Sequence, residues 1–127
     1  HEPAALAWSR WEASTVTLTP NAAQIEAMSD PVKATAFARM ENHFFVHRGW
    51  WEEGQLIAGV DVIRHIPTVI VQGRHDVVTP MMTAWDLHRA WPEAELVVVD
   101  DAGHAATEPG TKKALRAATD RFARAAR

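Results

Sequence analysis

Asp76 and His104 each stand just beyond a strand-like run, and together they could pass a proton. Thr68-Val69-Ile70-Val71 ends through Gly73 into Arg74-His75-Asp76, and Leu96-Val97-Val98-Val99 ends through Asp100-Asp101 into Ala102-Gly103-His104. An imidazole can take the proton of an attacking hydroxyl and return it to the leaving group. A buried carboxylate on its other nitrogen fixes the tautomer and steadies the imidazolium. Either residue alone reads equally well as a turn aspartate or a loop histidine. Both together, at the carboxyl ends of adjacent strands, occupy the place where open parallel sheets gather their reactive groups.

The elements that must hold them follow from periodicity. Unalternated β-branched runs of this length suit parallel strands covered on both faces. Between them Thr79-Pro80 reads as a helix start, with a hydroxyl cap followed by a proline tolerated in the first turn. Ala84, Leu87 and Trp91 give that helix one apolar face. In the closing segment, 111–127, Leu115, Ala118, Phe122 and Ala125 fall on one side, and lysines and arginines form a solvated face on the other. The order is one βαβ unit with a covering helix. Two parallel strands do not make a stable sheet, so the expectation is the trailing part of a larger one. Acid before histidine, with the nucleophile preceding both, is the chain order of α/β hydrolases.

The nucleophile can be sought directly. The three serines, Ser9, Ser14 and Ser29, all lie in the first half, and none has Gly-x-Ser-x-Gly surroundings after a strand. That half, residues 1–57, reads as helical and is expected to be part of a cap, with 58–127 as the core. Ala4 to Ala13 carries Leu6, Trp8 and Trp11, and Ser14 to Pro20 breaks it. Asp30-Pro31 starts a helix expected to reach about Arg48, with Val32, Ala36, Met40 and Phe44 on one stripe and Gly49 as the stop. Trp50 to Gly59 reads as a further short helix or turn. His43 and His47 share a helix face as paired metal ligands do, but Phe44 stands where His-Glu-x-x-His has its glutamate and no third ligand presents itself, so packing against aromatics is the expectation.

Composition bounds the remainder. A chain of 127 residues with 47% hydrophobic and 23% charged residues fits one modest globular domain. A formal net charge of −3 gives no reason to expect nucleic acid or an anionic membrane as partner. No signal peptide or apolar run of membrane-spanning length is visible, and without cysteine there is no disulfide framework, in keeping with a cytoplasmic location. The opening His1-Glu2-Pro3 lacks an initiator methionine and enters a helix at once, so an upstream portion is expected.

Longer stretches carry a family resemblance. Ala7-Trp8-Ser9-Arg10-Trp11-Glu12 and Ala38-Arg39-Met40-Glu41-Asn42-His43-Phe44-Phe45 resemble the cap signatures of proline iminopeptidases, capped members of the α/β-hydrolase superfamily. The run from Ile63 through Ile66-Pro67 to Gly73-Arg74-His75-Asp76 is similar to the same family, as are Ala84-Trp85-Asp86-Leu87-His88, Trp91-Pro92-Glu93-Ala94, Ala102-Gly103-His104 and Ala118-Thr119-Asp120-Arg121-Phe122. The likeness runs along essentially the whole chain and corresponds to the enzyme's C-terminal portion: the later cap, then the last two strands.

The resemblance implies a serine exopeptidase, without cofactor or metal, that releases an N-terminal proline from peptides. It implies Asp76 as triad acid and His104 as base. Glu12 and Glu41 would hold the proline's charged amine, with Val78 and Thr79 near the substrate pocket. The serine and the oxyanion hole would lie on an N-terminal remainder, a necessary partner, and this chain alone is expected to be inactive. The Asp–His pair by itself also suits another capped α/β hydrolase, such as an esterase or epoxide hydrolase. A non-catalytic fragment or binding module is the reading from a different class.

Overall fold

Pairing of the two apolar runs organises the second half. In a computed structural model, which describes residues 1–125, the chain forms helices α1 (Glu2–Thr15), α2 (Ala22–Ala27), α3 (Pro31–Val46), α4 (Gln55–Ala58) and α5 (Val60–Ile63). Strand β1 (Val69–Gly73), helix α6 (Met81–Ala90), strand β2 (Glu95–Val99) and helix α7 (Pro109–Ala125) follow. The strands are parallel, in register from Val69 opposite Glu95 to Gly73 opposite Val99. Side chains alternate, so Ile70, Gln72, Leu96 and Val98 share one face and Val71, Glu95, Val97 and Val99 the other.

Each face has its own helix. On the Ile70 face, α6 contributes Leu87 and Ala90 to a core built on Val60, Trp91 and Ala94. Arg64 ties this layer together: it grips Glu93 at 2.6 Å and the Ala90 carbonyl at 2.8 Å, while its own carbonyl accepts from the Trp91 indole. On the opposite face Arg121 of α7 pairs with Glu95 at 2.7 Å, and Gly110 lies so close to Val99 that a Cβ there would meet the valine at 2.5 Å. Apart from Gly73 and Val99 the strand residues are only half-buried or exposed. Helices cover both faces, but among the described residues each strand pairs with a single neighbour, which leaves the outer edges open.

The chain divides into two units. The first comprises His1–Thr15 and Thr19–Gln55; the second takes Val16–Leu18 together with the described residues from Leu56 onward. In the first unit α1 packs on α3 through small side chains, with Ala5, Ser9, Ala13 and Ala34 buried. The Ser9 hydroxyl donates to the Ala34 carbonyl at 3.4 Å. Small residues let the helix backbones approach closely, and the expected apolar stripe of α3 is therefore not its packed face: Val32 is 79% exposed, Met40 59% and Phe44 50%. Asp30 caps α3 as expected, its carboxylate accepting from the Lys33 amide at 2.9 Å.

Helix α3 stops at Val46, a little short of the expected end, in a left-handed turn with φ of 51° at Arg48, 59° at Gly49 and 61° at Trp50. Glycine adopts such angles freely, the other two do not. Stacking of His47 on Trp50, with ring centroids 5.2 Å apart, and contacts from His43 and Phe44 hold them there. The histidine pair is thus packed against aromatics. The stretch expected as a short helix or turn resolves into a 3-10 turn at Arg48–Trp50 followed by α4 and α5, and α2 is a helix the sequence reading did not place. Helix α7 begins at Pro109, before the expected Thr111; the expected last turn, 126–127, lies outside the described residues. Among the described residues no helix is long and apolar enough to cross a membrane.

Candidate active site

The end of β1 and the loop after β2 meet backbone to backbone. A Cβ on Gly73 would fall 1.9 Å from the Gly103 carbonyl oxygen and 2.8 Å from that of Ala102. Glycine is needed here because two main chains meet with no room for a side chain. Past that contact the strand-end loops continue one another's hydrogen bonding. The Arg74 amide donates to the Val99 carbonyl at 2.9 Å and the His75 amide to that of Ala102 at 3.0 Å. This registers Asp76 against His104, whose Nδ1 lies 3.0 Å from Asp76 Oδ2.

Asp76 is 8% exposed and heavily hydrogen-bonded. Its Oδ1 accepts from the amides of Val78 at 2.9 Å and Thr79 at 2.8 Å. Its Oδ2 accepts from the Thr79 hydroxyl at 2.9 Å, the His104 ring and the Gln72 amide nitrogen at 3.1 Å. Burial alone would raise the carboxyl pKa. The Thr79 amide, the His104 ring, the Thr79 hydroxyl and the Val78 amide together outweigh it and hold the value below the ordinary aspartate range. Asp76 is therefore a carboxylate at neutral pH, with no proton to offer.

That fixes the proton on the histidine. A carboxylate only accepts, and the Thr79 hydroxyl, 3.2 Å from Nδ1, has spent its hydrogen on Asp76. Nδ1 must then carry the hydrogen, and in the neutral ring Nε2 presents the lone pair. The His104 side chain is 38% exposed, and among the described residues no hydrogen bond engages Nε2. A base oriented by an acid, with its reactive nitrogen open, is what activation of a hydroxyl nucleophile requires.

The lowered carboxyl makes stability depend on pH. Because the folded pKa lies below the unfolded value of about 3.9, ionised Asp76 contributes stability that is complete above that pH. The contribution is lost as pH falls through the folded value. In the complete polypeptide, the wild-type advantage over Asp76→Asn in urea midpoint should be full at neutral pH and shrink below about pH 4. An advantage that stays constant down to pH 2–3 would show that the carboxylate carries no such linkage.

Other expected site residues fall as follows. Val78, 38% exposed, and Thr79 orient the acid through their backbone amides, and Thr79 does so through its hydroxyl as well. Thr79 was also expected to cap α6, but its hydroxyl goes to Asp76 and that helix starts without a side-chain cap. In the first unit Glu41 is half-buried and accepts from the Trp8 indole at 2.7 Å. Glu12, also half-buried, lies one turn beyond Trp8 on the same face of α1. Trp11 and Phe45 add rings 5.3 and 6.4 Å from Trp8. The three serine hydroxyls are each turned to a helix-region carbonyl: Ser9 to Ala34, Ser14 to Trp11 and Ser29 to Ile25.

Two residues escaped the sequence reading. Gln72 carried a visible signal, a polar side chain inside an otherwise apolar strand run. Glu108 carried none: its oxygens accept from the amides of Gly103 at 2.7 Å and Leu18 at 2.8 Å, a partnership across most of the chain.

The family model for TAP-like proteins matches residues 49–127, which hold both strands, Asp76 and His104. The chain belongs to this α/β-hydrolase family. It is also similar to curated proline iminopeptidases. One from Arabidopsis thaliana is 52% identical over 94% of this chain and 32% of its own length. A probable proline iminopeptidase from Leptolyngbya boryana is 53% identical over 94% of this chain and 37% of its own length. One from Neisseria gonorrhoeae is 46% identical over 88% of the chain and 35% of its length. The chain thus spans about a third of the length of the curated relatives it matches. The TAP-like match spans the whole strand–helix–strand–helix unit that builds the Asp76–His104 site.

Proposed function

We propose that this chain supplies the acid and base of a serine exopeptidase that releases N-terminal proline from peptides. The carrying observation is the Asp76–His104 pair with Nε2 open, in a chain about half identical to proline iminopeptidases. His104 Nε2 takes the proton of a serine hydroxyl as its oxygen attacks the prolyl carbonyl. The imidazolium then gives that proton to the departing amine, and water repeats the sequence to free proline and the serine. Asp76 stays ionised throughout and holds Nδ1–H.

The serine and the amides that steady the oxyanion belong to the remainder of the polypeptide, a necessary partner for activity. Two things support this: the engagement of Ser9, Ser14 and Ser29 with helix-region carbonyls, and the length of the relatives. In this reading the chain is the C-terminal part of the hydrolase, with residues 1–57 in the cap and 58–127 in the core, and it works without cofactor in the cytoplasm.

Glu12 and Glu41 hold the secondary ammonium of the N-terminal proline. A cation taken from water must be paired, and carboxylates among aromatic rings do so with charge-assisted hydrogen bonds. The Trp8 indole engages Glu41 Oε2, which fixes the side chain and leaves Oε1 available to the amine. Val78 and Thr79 border the pocket beside the acid. In the complete polypeptide, Glu12→Gln or Glu41→Gln should lower kcat/KM for a prolyl arylamide by about 10–100-fold, the worth of a charged hydrogen bond. Hydrolysis of an uncharged ester should change little. If both variants keep the wild-type ratio of the two substrates, these residues do not bind the amine.

A further inference from the structure

We propose that Glu108 is a positioning residue for His104, clamping the Val16–Leu18 connector against the histidine loop. The inference rests on reading His104 as the catalytic base. His104 is held at two ends. Its ring is fixed by Asp76, while its main chain is fixed by a segment from the far end of the sequence. The Val16 carbonyl accepts from the amide of His104 at 3.0 Å and from that of Ala105 at 2.7 Å. One carbonyl thus takes both amides, and nothing within the histidine loop supplies that acceptor. The connector in turn is held by Glu108, which bridges its Leu18 amide to the Gly103 amide directly before the histidine.

The geometry is unusual for a residue in this place. Glu108 immediately precedes α7, and its carbonyl accepts from the Lys112 amide at 2.9 Å, so it occupies the N-cap position. A side chain there ordinarily turns forward to the free amides of its own helix. Glu108 instead spends both oxygens backward, on the connector and on the histidine loop. Gly103 completes the fit, since a Cβ there would press to 3.0 Å on the Leu18 nitrogen and 3.2 Å on the Thr17 carbonyl carbon. The connector backbone therefore rests directly on the loop backbone, and the carboxylate closes the seam.

Loosening the clamp should displace the imidazole without removing any group that touches substrate. Misplacement of a catalytic group by an ångström lowers turnover by up to about 100-fold. In the complete polypeptide, Glu108→Ala should lower kcat for a prolyl arylamide by about tenfold or more, with KM within about twofold. Glu108→Gln keeps the shape but turns a donor toward one of the two amides, and should fall between. Hydrogen exchange should quicken at His104 and Ala105, whose amides Glu108 does not touch. Glu95→Gln, which removes only the exposed ion pair to Arg121, should leave kcat and exchange at these amides unchanged. A folded Glu108→Gln with wild-type kcat and unchanged exchange there overturns the clamp and leaves the peptidase reading intact. Faster exchange in the Glu108 variants, where the wild-type polypeptide itself cleaves no prolyl amide, overturns the substrate reading and supports the clamp.

Discussion

In the complete polypeptide, His104→Ala should abolish turnover of prolyl arylamides, a fall in kcat of about 10⁴ or more. The expectation rests on the division of labour in the pair. Asp76 has no proton to give, and Nδ1–H is committed to it, so in the proposed mechanism Nε2 of His104 is the nitrogen of this pair that accepts from the nucleophile. The side chain is 38% exposed, so its loss leaves a surface indentation rather than a core cavity, and folding should persist. Substrate contacts are untouched, and KM should stay near the wild-type value. Asp76→Asn should lower kcat to a similar degree by a different route. An asparagine amide presented to Nδ1 favours the opposite tautomer, with the hydrogen on Nε2 and no lone pair for the nucleophile. Measured kcat within about tenfold of wild type for folded His104→Ala would remove the histidine from the chemistry.

Gly73→Ala should be the most damaging substitution outside the pair. The new methyl would stand 1.9 Å from the Gly103 carbonyl oxygen, 2.8 Å from that of Ala102 and 2.9 Å from the Gly103 carbonyl carbon. All three are backbone atoms, so no rotamer change relieves the contact. The strand-end loops must part by roughly an ångström or more, at about 1–3 kcal/mol of stability. The same parting moves Asp76 relative to His104, and kcat should fall about 100-fold beyond the effect on folding. Gly54→Ala is the matched comparison: its φ of 74° strains an alanine, but beyond its own chain neighbours the added methyl meets nothing within 4 Å. It should lose stability alone. Calorimetry together with kcat on both variants checks this. Equal kcat in the two would mean that the Gly73 contact does not register the site.

The second unit was legible because its signals are local. Unbroken β-branched runs closed by Gly73 and by Asp100-Asp101 place β1 and β2 within two residues, and the helix with Ala84, Leu87 and Trp91 inward lies where periodicity puts it. The proximity of Asp76 to His104 follows from parallel pairing, since equivalent strand ends meet.

What could not be read rests on long-range backbone geometry. Nothing in Val16-Thr17-Leu18 announces a strap, because its hydrogen bonds run from main-chain groups that every residue carries. Glu108 looks like an ordinary helix-start acid until its oxygens are seen turned backward. The stripe on α3 misled for another reason: α1 and α3 meet through alanines and Ser9, and close approach of small residues leaves no hydrophobic periodicity to detect. Thr79 reads as a cap in sequence and serves Asp76 in space, since a hydroxyl bonds whichever acceptor the turn brings nearest.

The central claim is an Asp76–His104 base serving a hydrolase that grips a free N-terminal proline, and an arylamide pair tests it most directly. The complete polypeptide is given a prolyl arylamide and its N-acetylated counterpart, which presents the same scissile bond without the cation. Rapid cleavage of the free-amine substrate, with the acetylated one lower by at least about 100-fold, is the predicted result. Comparable cleavage of both, or cleavage of neither alongside brisk ester hydrolysis, would contradict it and leave a capped esterase in its place.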